Sequence, residues 1–212
     1  MPDASISPGE AMARKRVAVL ISGRGSNMAA LIEAARAPDY PAEIVLVVSN
    51  RPDAGGLALA RAAGIATAVV DHTKFSGDRE AFERALQGAL ETHRIDLVCL
   101  AGFMRLLTPR FTGRWSGRML NIHPALLPAF KGLNTHERAL DAGAKTHGAT
   151  VHFVVPEVDS GPIIAQAEVP VLDGDTPETL AARVLAVEHR IYPDALRRVA
   201  DGRVRIDDTP KP

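Results

Sequence analysis

The first hundred residues alternate short apolar runs with segments of helical spacing, and this alternation constrains the fold more than any other feature. Residues 17–21 (Val-Ala-Val-Leu-Ile) and 44–48 are almost entirely apolar, which is typical of strands buried on both faces. The other elements predicted here are strands at 66–70 and 95–101 and helices at 28–37, 53–63 and 79–93. The alternation predicts an α/β fold, in which a mostly parallel sheet carries helices on both faces.

The second half of the chain shows a different pattern. Residues 149–155 and 163–171 are strand-like and flank a turn-forming region, so we expect them to pair as a hairpin. Residues 176–199 have the spacing of one long helix, with Thr176 as its N-cap and Pro193 as a kink or a break. A strand at 119–122 and a helix at 133–142 complete this half. Because no linker separates the two halves, we expect them to share one core.

The length of 212 residues predicts one domain with short extensions, since domains contain about 150 residues. We place a disordered leader at 1–15, the domain at 16–206 and a tail at 207–212, with the two halves of the domain meeting near residue 115. Met12 lies just before the first strand and is a candidate alternative start.

Charge and cysteine content narrow the class of protein. Lys and Arg (25) balance Asp and Glu (25), which disfavours duplex DNA or an anionic membrane as a partner. The chain contains no run of about 18 apolar residues, so no membrane-spanning segment is predicted. Cys99 is the single cysteine, so an internal disulfide is impossible and a reducing compartment, the cytoplasm, is expected.

The loop Gly23-Arg-Gly-Ser-Asn27 joins the first strand to the first helix. Glycines let the backbone approach a ligand, and the free N–H groups of a following helix favour an anion such as phosphate. An ordinary turn is the alternative. A dinucleotide site is disfavoured because Met28 replaces the third glycine, and Ser49-Asn50-Arg51 stands where an acidic residue is needed. NADP remains a weak alternative, which rests on Arg51 as a partner for its 2′-phosphate. A Walker A loop is excluded, since the chain has no Gly-Lys-Ser/Thr.

Two further segments could carry chemistry. Asn121 and His123 are two residues apart in a strand, so both side chains project to one face, where they could polarise a carbonyl and move a proton. A hydrogen-bonded strand end without chemistry is the alternative. The run 156–162 (Pro-Glu-Val-Asp-Ser-Gly-Pro) is typical of a turn, but Asp159 could also supply a carboxylate to a histidine.

We do not expect a metal site. The chain contains His123, His136, His147 and His152, but no cluster of cysteines or carboxylates with the spacing of metal ligands accompanies them. Cys99, Phe111 and Trp115 are expected to be core residues.

Six stretches carry a resemblance to a known family: 17–27 (VAVLISGRGSN), 100–107 (LAGFMRLL), 121–128 (NIHPALLP), 147–154 (HGATVHFV), 158–162 (VDSGP) and 188–193 (EHRIYP). They resemble the phosphoribosylglycinamide formyltransferases, folate-dependent enzymes of purine synthesis, from about residue 16 to 206. Arg24 and Lys131 depart from the family pattern, and the tail looks short. The resemblance implies a Rossmann-like fold of the formyltransferase type, with a nucleotide-binding first half and a folate-binding second half.

The resemblance also implies roles for individual residues. The catalytic group would be Asn121, His123 and Asp159. Glycinamide ribonucleotide would be held by Gly25, Ser26 and Asn27 at its phosphate and by Glu188. The co-substrate 10-formyltetrahydrofolate would be bound by Arg79, Met104, Arg105, Leu106, Leu107, Asn121 and the loop Val155, Pro156, Glu157, Val158 and Asp159. Partners would be these small molecules, with no nucleic acid or membrane, and the protein would be a monomer or homodimer.

The implied reaction is direct attack of the substrate amine on the formyl carbon, through a tetrahedral intermediate. Asn121 and a protonated His123 would stabilise the oxyanion, and Asp159 would favour the charged imidazole. Deformylases and methionyl-tRNA formyltransferases share the Asn-x-His core, but they usually carry an additional domain. A nucleotide-binding module would keep Gly25-Ser26-Asn27 without needing the catalytic group.

Overall fold

The computed structural model describes residues 13–209. Most of the predicted leader, including Met12, and the end of the predicted tail lie outside the described residues. The first strand begins at Lys15, one residue before the predicted start of the domain. At the other end, a 3₁₀ turn at Ile206–Asp208 spans the predicted boundary of the tail, and Ile206 packs against the core.

All strands of the described residues form one seven-stranded sheet with the order β3-β2-β1-β4-β5-β6-β7. The strands are β1 (Lys15–Ile21), β2 (Ala42–Ser49), β3 (Ala66–Val69), β4 (Leu97–Leu100), β5 (Met119–His123), β6 (Thr146–Phe153) and β7 (Ile163–Pro170). Neighbours among β1 to β5 pair in parallel, whereas β6 pairs antiparallel with both β5 and β7. The mostly parallel sheet and the hairpin are therefore confirmed.

Helices cover both faces of the sheet. They are α1 (Ser26–Ala34), α2 (Gly56–Ala62), α3 (Arg79–Thr92), α4 (Pro109–Arg114), α5 (Thr135–Asp141) and α6 (Pro177–Ala200), with a 3₁₀ turn at His72–Phe75. Apolar residues of α1, α2, α5 and α6 pack into one core, and those of α3 and α4 pack into a second. Cys99, Phe111 and Trp115 are buried, as expected.

The long helix α6 is continuous. Thr176 is its N-cap, and Thr176 and Thr179 satisfy each other's backbone N–H groups in a capping box. Pro193 does not divide the helix, so the prediction of a break is wrong. The buried side chains of Tyr192 and Leu196 anchor the helix on either side of the proline.

Several helix bounds differ from the predictions by one to three residues, and one short helix was not predicted. The helix α2 begins at Gly56 rather than at residue 53, because Asp53 is held in the preceding turn by Arg51 at 2.8 Å. The helix α4 was not predicted, since six residues are too few to show helical periodicity. Thr108 caps α4 and Pro109 occupies its first turn.

Candidate active site

The glycine-containing loop forms one wall of a cleft of about 420 Å³ at the carboxyl end of β1. Gly25 adopts a φ of 78°, and a Cβ atom there would lie 2.9 Å from the Cα atom of Gly56. Glycine therefore permits both the left-handed conformation and the close approach of two loops. The helix α1 begins at Ser26 with no acidic residue in its first turn. Its free N–H groups and partial positive charge suit an anion.

Polar side chains from three strand ends connect the walls of this cleft. The Ser22 hydroxyl accepts a hydrogen bond from the Met104 backbone N–H (2.7 Å) and donates one to Asn50 Oδ1 (2.5 Å). The Asn50 amide in turn lies 3.1 Å from His72 Nδ1. Sequence reasoning missed Ser22 and His72 and examined Asn50 only as a missing acid. Ser22, Asn50 and His72 each lie within three residues of a strand's carboxyl end, and that position could have identified them as candidates.

Glu188 of α6 reaches the same loop. Its carboxylate accepts a hydrogen bond from the Asn27 side chain at 2.6 Å. Burial raises the pKa of Glu188, and the hydrogen bond from Asn27 opposes that rise only in part. Asn27 Oδ1 is buried without a hydrogen-bond partner among the described residues. The structure therefore joins two residues predicted to bind the ribonucleotide and leaves one acceptor on Asn27 for a ligand.

Asn121, His123 and Asp159 are brought together at the end of β5. His123 Nδ1 lies 3.4 Å from Asp159 Oδ2, and both side chains are about nine-tenths buried or more. Asp159 has a φ of 48°, a conformation that costs a residue with a Cβ atom about 1–2 kcal/mol. The spacing in the sequence could not show this contact, and the fold supplies it.

His152 joins this group from β6. It lies directly opposite Asn121 across the antiparallel pair. Its Nε2 atom is 3.2 Å from Asn121 Nδ2 and 3.7 Å from Asp159 Oδ1, while its Nδ1 atom is 2.8 Å from the Phe153 carbonyl oxygen. Sequence reasoning considered His152 only as a metal ligand.

Two backbone groups of the loop after β5 complete the geometry. His123 Nε2 donates to the Phe130 carbonyl oxygen at 2.9 Å. The Gly132 N–H donates to Asp159 Oδ2 at 2.9 Å. A neutral His123 that donates from Nε2 presents a lone pair on Nδ1 to the Asp159 carboxylate. Only the imidazolium form makes both contacts favourable.

The pKa values of the pair show which protonation state dominates at rest. Burial lowers the pKa of His123 below its usual 6.5, although Asp159 and the Phe130 carbonyl act to raise it. Burial alone would raise the pKa of Asp159, but contacts with His152 and the Gly132 N–H outweigh it, and the net pKa lies below 3.8. In the unliganded chain, desolvation of His123 outweighs the attraction of Asp159, so the charged imidazole expected during the reaction is not the favoured form at rest. Near pH 7, His123 is neutral and Asp159 is ionised.

A model of the family described as formyl transferase matches residues 15–196. The chain belongs to the formyl transferase family. It is 46% identical over 194 residues to phosphoribosylglycinamide formyltransferase of Haemophilus influenzae, and the match covers 92% of this chain and 91% of that protein. A crystal structure of phosphoribosylglycinamide formyltransferase from Brucella melitensis is 60% identical with a TM-score of 0.85, over 90% of this chain and 98% of the other.

This formyl transferase chain also resembles part of a longer protein. It is 52% identical over 204 residues to the trifunctional purine biosynthetic protein adenosine-3 of Bos taurus. The match covers 96% of this chain but 20% of the cattle protein, so the chain spans about a fifth of that relative's length.

The residues expected to bind folate in this formyl transferase are dispersed. Met104 and Arg105 line the cleft beside the glycine loop. Leu106 and Val158 are exposed apolar side chains (58% and 51%), and Leu107 packs partly against the second core. Of the remaining residues, Val155 is half-buried, Pro156 and Glu157 are exposed, and Arg79 is exposed at the start of α3. Arg79 does not line the cleft, and among residues 13–209 no side-chain hydrogen bond or ion pair connects it to a residue of the cleft.

Two further histidines, His136 and His147, lie next to the Phe130 ring, behind the His123–Asp159 pair. The His147 ring packs edge to face against His136 and Phe130, with ring centroids 5.2 and 5.8 Å apart. Burial lowers the pKa of His147 to about 4. Within residues 13–209, no group of three or more His, Cys, Asp or Glu side chains is arranged to hold a metal ion. The same residues contain no helix that is long and apolar enough to cross a membrane.

Proposed function

We propose that the chain transfers the formyl group of 10-formyltetrahydrofolate to the amine of glycinamide ribonucleotide in purine synthesis. One observation carries the proposal. Asn121 and the His123–Asp159 pair lie at the carboxyl ends of the strands, along the same side of the sheet as the glycine loop. The chain that carries this arrangement matches bacterial phosphoribosylglycinamide formyltransferases over about nine-tenths of both lengths. A phosphate site and a proton-transfer site on one edge suit transfer to a phosphorylated amine.

The ribonucleotide is proposed to bind along the glycine loop. The Gly25, Ser26 and Asn27 backbone would hold the phosphate at the start of α1. Glu188 would contact the glycinamide part, since its buried carboxylate already orders Asn27. The buried Glu188 carboxylate favours a substrate that offers it a hydrogen-bond donor, such as the glycinamide nitrogen, because a buried acceptor without a donor is costly.

The folate is proposed to bind beside the catalytic group. Met104, Leu106 and Val158 are large apolar side chains left exposed, which suits an aromatic ring system. Arg105 and Arg79 would meet its carboxylates, and residues 155–159 would lie against the pterin. Asn121 would also contact the formyl oxygen, since the Asn121–His152 contact uses one of its two amide N–H donors.

In the proposed mechanism, the substrate nitrogen forms a bond to the formyl carbon, whose oxygen gains negative charge. The free Asn121 N–H donates to that oxygen. The attacking nitrogen releases one proton, and the folate nitrogen takes up one as its bond to carbon breaks. His123 is neutral at rest and accepts the released proton, because the imidazolium satisfies both Asp159 and the Phe130 carbonyl. It then returns the proton to the leaving nitrogen, so no net proton is consumed.

One assay tests the proposed function against its rivals. The purified chain is given 10-formyltetrahydrofolate with and without glycinamide ribonucleotide, and tetrahydrofolate release is measured. Release only with the nucleotide, together with formylglycinamide ribonucleotide as product, is expected. Release without the nucleotide would indicate a deformylase. No release in either condition would overturn the proposal and favour a tRNA formyltransferase or a binding module. Asp159→Asn serves as the matched inactive control.

Three narrower expectations remain predictions. We propose that the enzyme needs no metal, that it works in the cytoplasm as a monomer or homodimer, and that it binds neither nucleic acid nor membrane. The balanced charge of the chain supports the last point.

A further inference from the structure

The loop of residues 130–133 contacts both members of the catalytic pair. Its first residue supplies the carbonyl oxygen that accepts from His123, and its third supplies the N–H that donates to Asp159. These two contacts are each 2.9 Å long and involve backbone atoms only. A shift of this loop would therefore move His123 and Asp159 relative to each other.

One side chain holds this loop from α5. The Arg138 guanidinium donates from Nη1 to the Lys131 carbonyl oxygen at 2.6 Å and to the Leu133 carbonyl oxygen at 3.3 Å. Its central carbon also lies 5.7 Å from the centre of the Phe130 ring, within the range of a cation–π contact. Arg138 thus touches three of the four residues of the loop.

Arg138 is free to serve the loop because no acidic side chain within residues 13–209 forms an ion pair with it. Phe130 adopts a φ of 53°, which a residue with a Cβ atom rarely adopts unless its surroundings hold it. The planar guanidinium offers several donors in fixed directions, which suits two carbonyl oxygens and an aromatic face at once.

We infer that Arg138 is a positioning residue, which fixes the 130–133 loop so that His123 and Asp159 keep their proton-transfer geometry. The inference rests on the proposed function. The positive charge of Arg138 also acts to lower the pKa of His123, as a minor contribution beside burial. Loss of Arg138 should therefore change both the geometry of the pair and the titration of the ring.

Other contacts keep the loop folded when Arg138 is replaced. Lys131 Nζ donates to the Ser160 hydroxyl at 2.7 Å, and the Phe130 ring stays against His147. The loop is then expected to shift rather than unfold. This predicts a loss of kcat with little change in the melting temperature.

The test compares Arg138→Met with Arg138→Lys and with Arg84→Met. Arg84 is an exposed helical arginine whose one ion pair, with Glu80, is 3.8 Å long. We expect Arg138→Met to lower kcat about tenfold, since small displacements of catalytic groups cost one to two orders of magnitude. The KM for the ribonucleotide should change less than about twofold, since the glycine loop is untouched. Arg138→Lys should recover part of the lost kcat, because an ammonium can still donate to a carbonyl oxygen but lacks the planar set of donors. Arg84→Met should match the parent protein.

Histidine NMR of the unliganded chain gives a readout that does not depend on activity. The midpoint of the His123 titration should move in Arg138→Met, because the loop shift alters the Asp159 and Phe130 contacts that raise the pKa of His123 and the charge of Arg138 is lost. It should stay closer to its original pH in Arg138→Lys and be unchanged in Arg84→Met. If the parent chain lacks formyl transfer, the proposed function fails, while the titration still tests the role of Arg138.

The inference is overturned if a folded Arg138→Met keeps kcat within twofold and leaves the His123 titration unchanged. It is also overturned if Arg84→Met loses as much activity. If Arg138→Met does not fold, Arg138→Gln replaces it, because it keeps an amide donor without the charge. A lower kcat and a shifted His123 midpoint would then support the inference, and parent-like values would refute it.

Discussion

The glycine loop and the His123–Asp159 group differ in how the chain builds them. The loop comes from one segment between β1 and α1, and distant parts of the chain add only the close approach of Gly56 and the hydrogen bond from Asn27 to Glu188. The catalytic group takes residues from β5, the 130–133 loop, β6 and the turn at Asp159. Binding an anion needs a local backbone shape, whereas controlling a proton needs several groups from distant parts of the chain.

The two regions also differ in electrostatics. The loop lies in an open cleft, where it presents backbone N–H groups, neutral polar side chains and the cationic side chain of Arg24. The catalytic group is buried, and burial is the largest single influence on the pKa values of both His123 and Asp159. Changes to the loop should therefore appear mainly in KM, and changes to the catalytic group mainly in kcat.

The largest expected effect is the loss of catalytic groups. Asn121→Ala, His123→Ala and Asp159→Asn should each lower kcat about 10²- to 10³-fold, as removal of one preorganised group does. The KM for the ribonucleotide should change little. Steady-state kinetics with both substrates checks this, with the exposed Glu168→Gln on β7 as a control. Near-normal turnover in all three variants would contradict the assignment.

Acid stability should depend on the histidines behind the catalytic group. Burial lowers the pKa of His147 from 6.5 to about 4, so the unfolded chain binds this proton more readily. Stability therefore falls as the pH drops from 6.5 through about 4, by about 3 kcal/mol from this one group.

Replacing His147 by Phe should remove that part of the pH dependence. Urea unfolding at pH 7 and at pH 4.5 measures it, with His93→Phe, on a half-buried ring outside this cluster, as the control. Equal acid sensitivity of His147→Phe and the parent chain would show that this histidine carries no such linkage.

A smaller effect is expected at the glycine loop. In Gly25→Ala, the left-handed φ of 78° and the contact with Gly56 oppose the added methyl group. A strain of about 1–2 kcal/mol corresponds to about a tenfold rise in KM for the ribonucleotide. Gly23→Ala is the matched control, since a Cβ atom there would meet nothing within 4 Å. The comparison of the two regions would fail if Gly25→Ala changed kcat rather than KM.

The smallest effect should come from salt. The open cleft leaves a bound phosphate accessible to counter-ions, and raising the ionic strength from about 0.05 to 0.3 M should raise the KM for the ribonucleotide about two- to threefold. The buried His123–Asp159 pair is screened much less, so kcat should stay constant. A fall in kcat with constant KM would reverse the contrast between the two regions.

Much of the sheet could be predicted from the sequence because its strands are short, apolar and regularly spaced. The glycine loop and the Asn121–His123 pair were accessible for the same reason, since each lies within one segment. Asp159 was a candidate carboxylate from its turn segment and from the family resemblance, but only the folded chain shows that it lies 3.4 Å from His123.

The rest of the catalytic group could not be predicted, because its partners are defined by tertiary structure. The Phe130 carbonyl and the Gly132 N–H are backbone groups that every residue type carries. The lowered pKa of His123 likewise depends on how deeply the ring is buried in the fold. The Asp159 carboxylate, considered without that burial, predicts a raised pKa instead.

The pairing of β5 has a mechanical consequence. This strand is bonded in parallel to β4 on one side and antiparallel to β6 on the other, and it carries Asn121 and His123. The two halves of the domain are therefore joined along a continuous ladder of backbone hydrogen bonds, which a hinge motion would have to break. Under the proposed function, we expect substrates to enter and products to leave by movement of loops around a rigid strand, so that the formyl acceptor and donor meet at a distance that the sheet itself fixes.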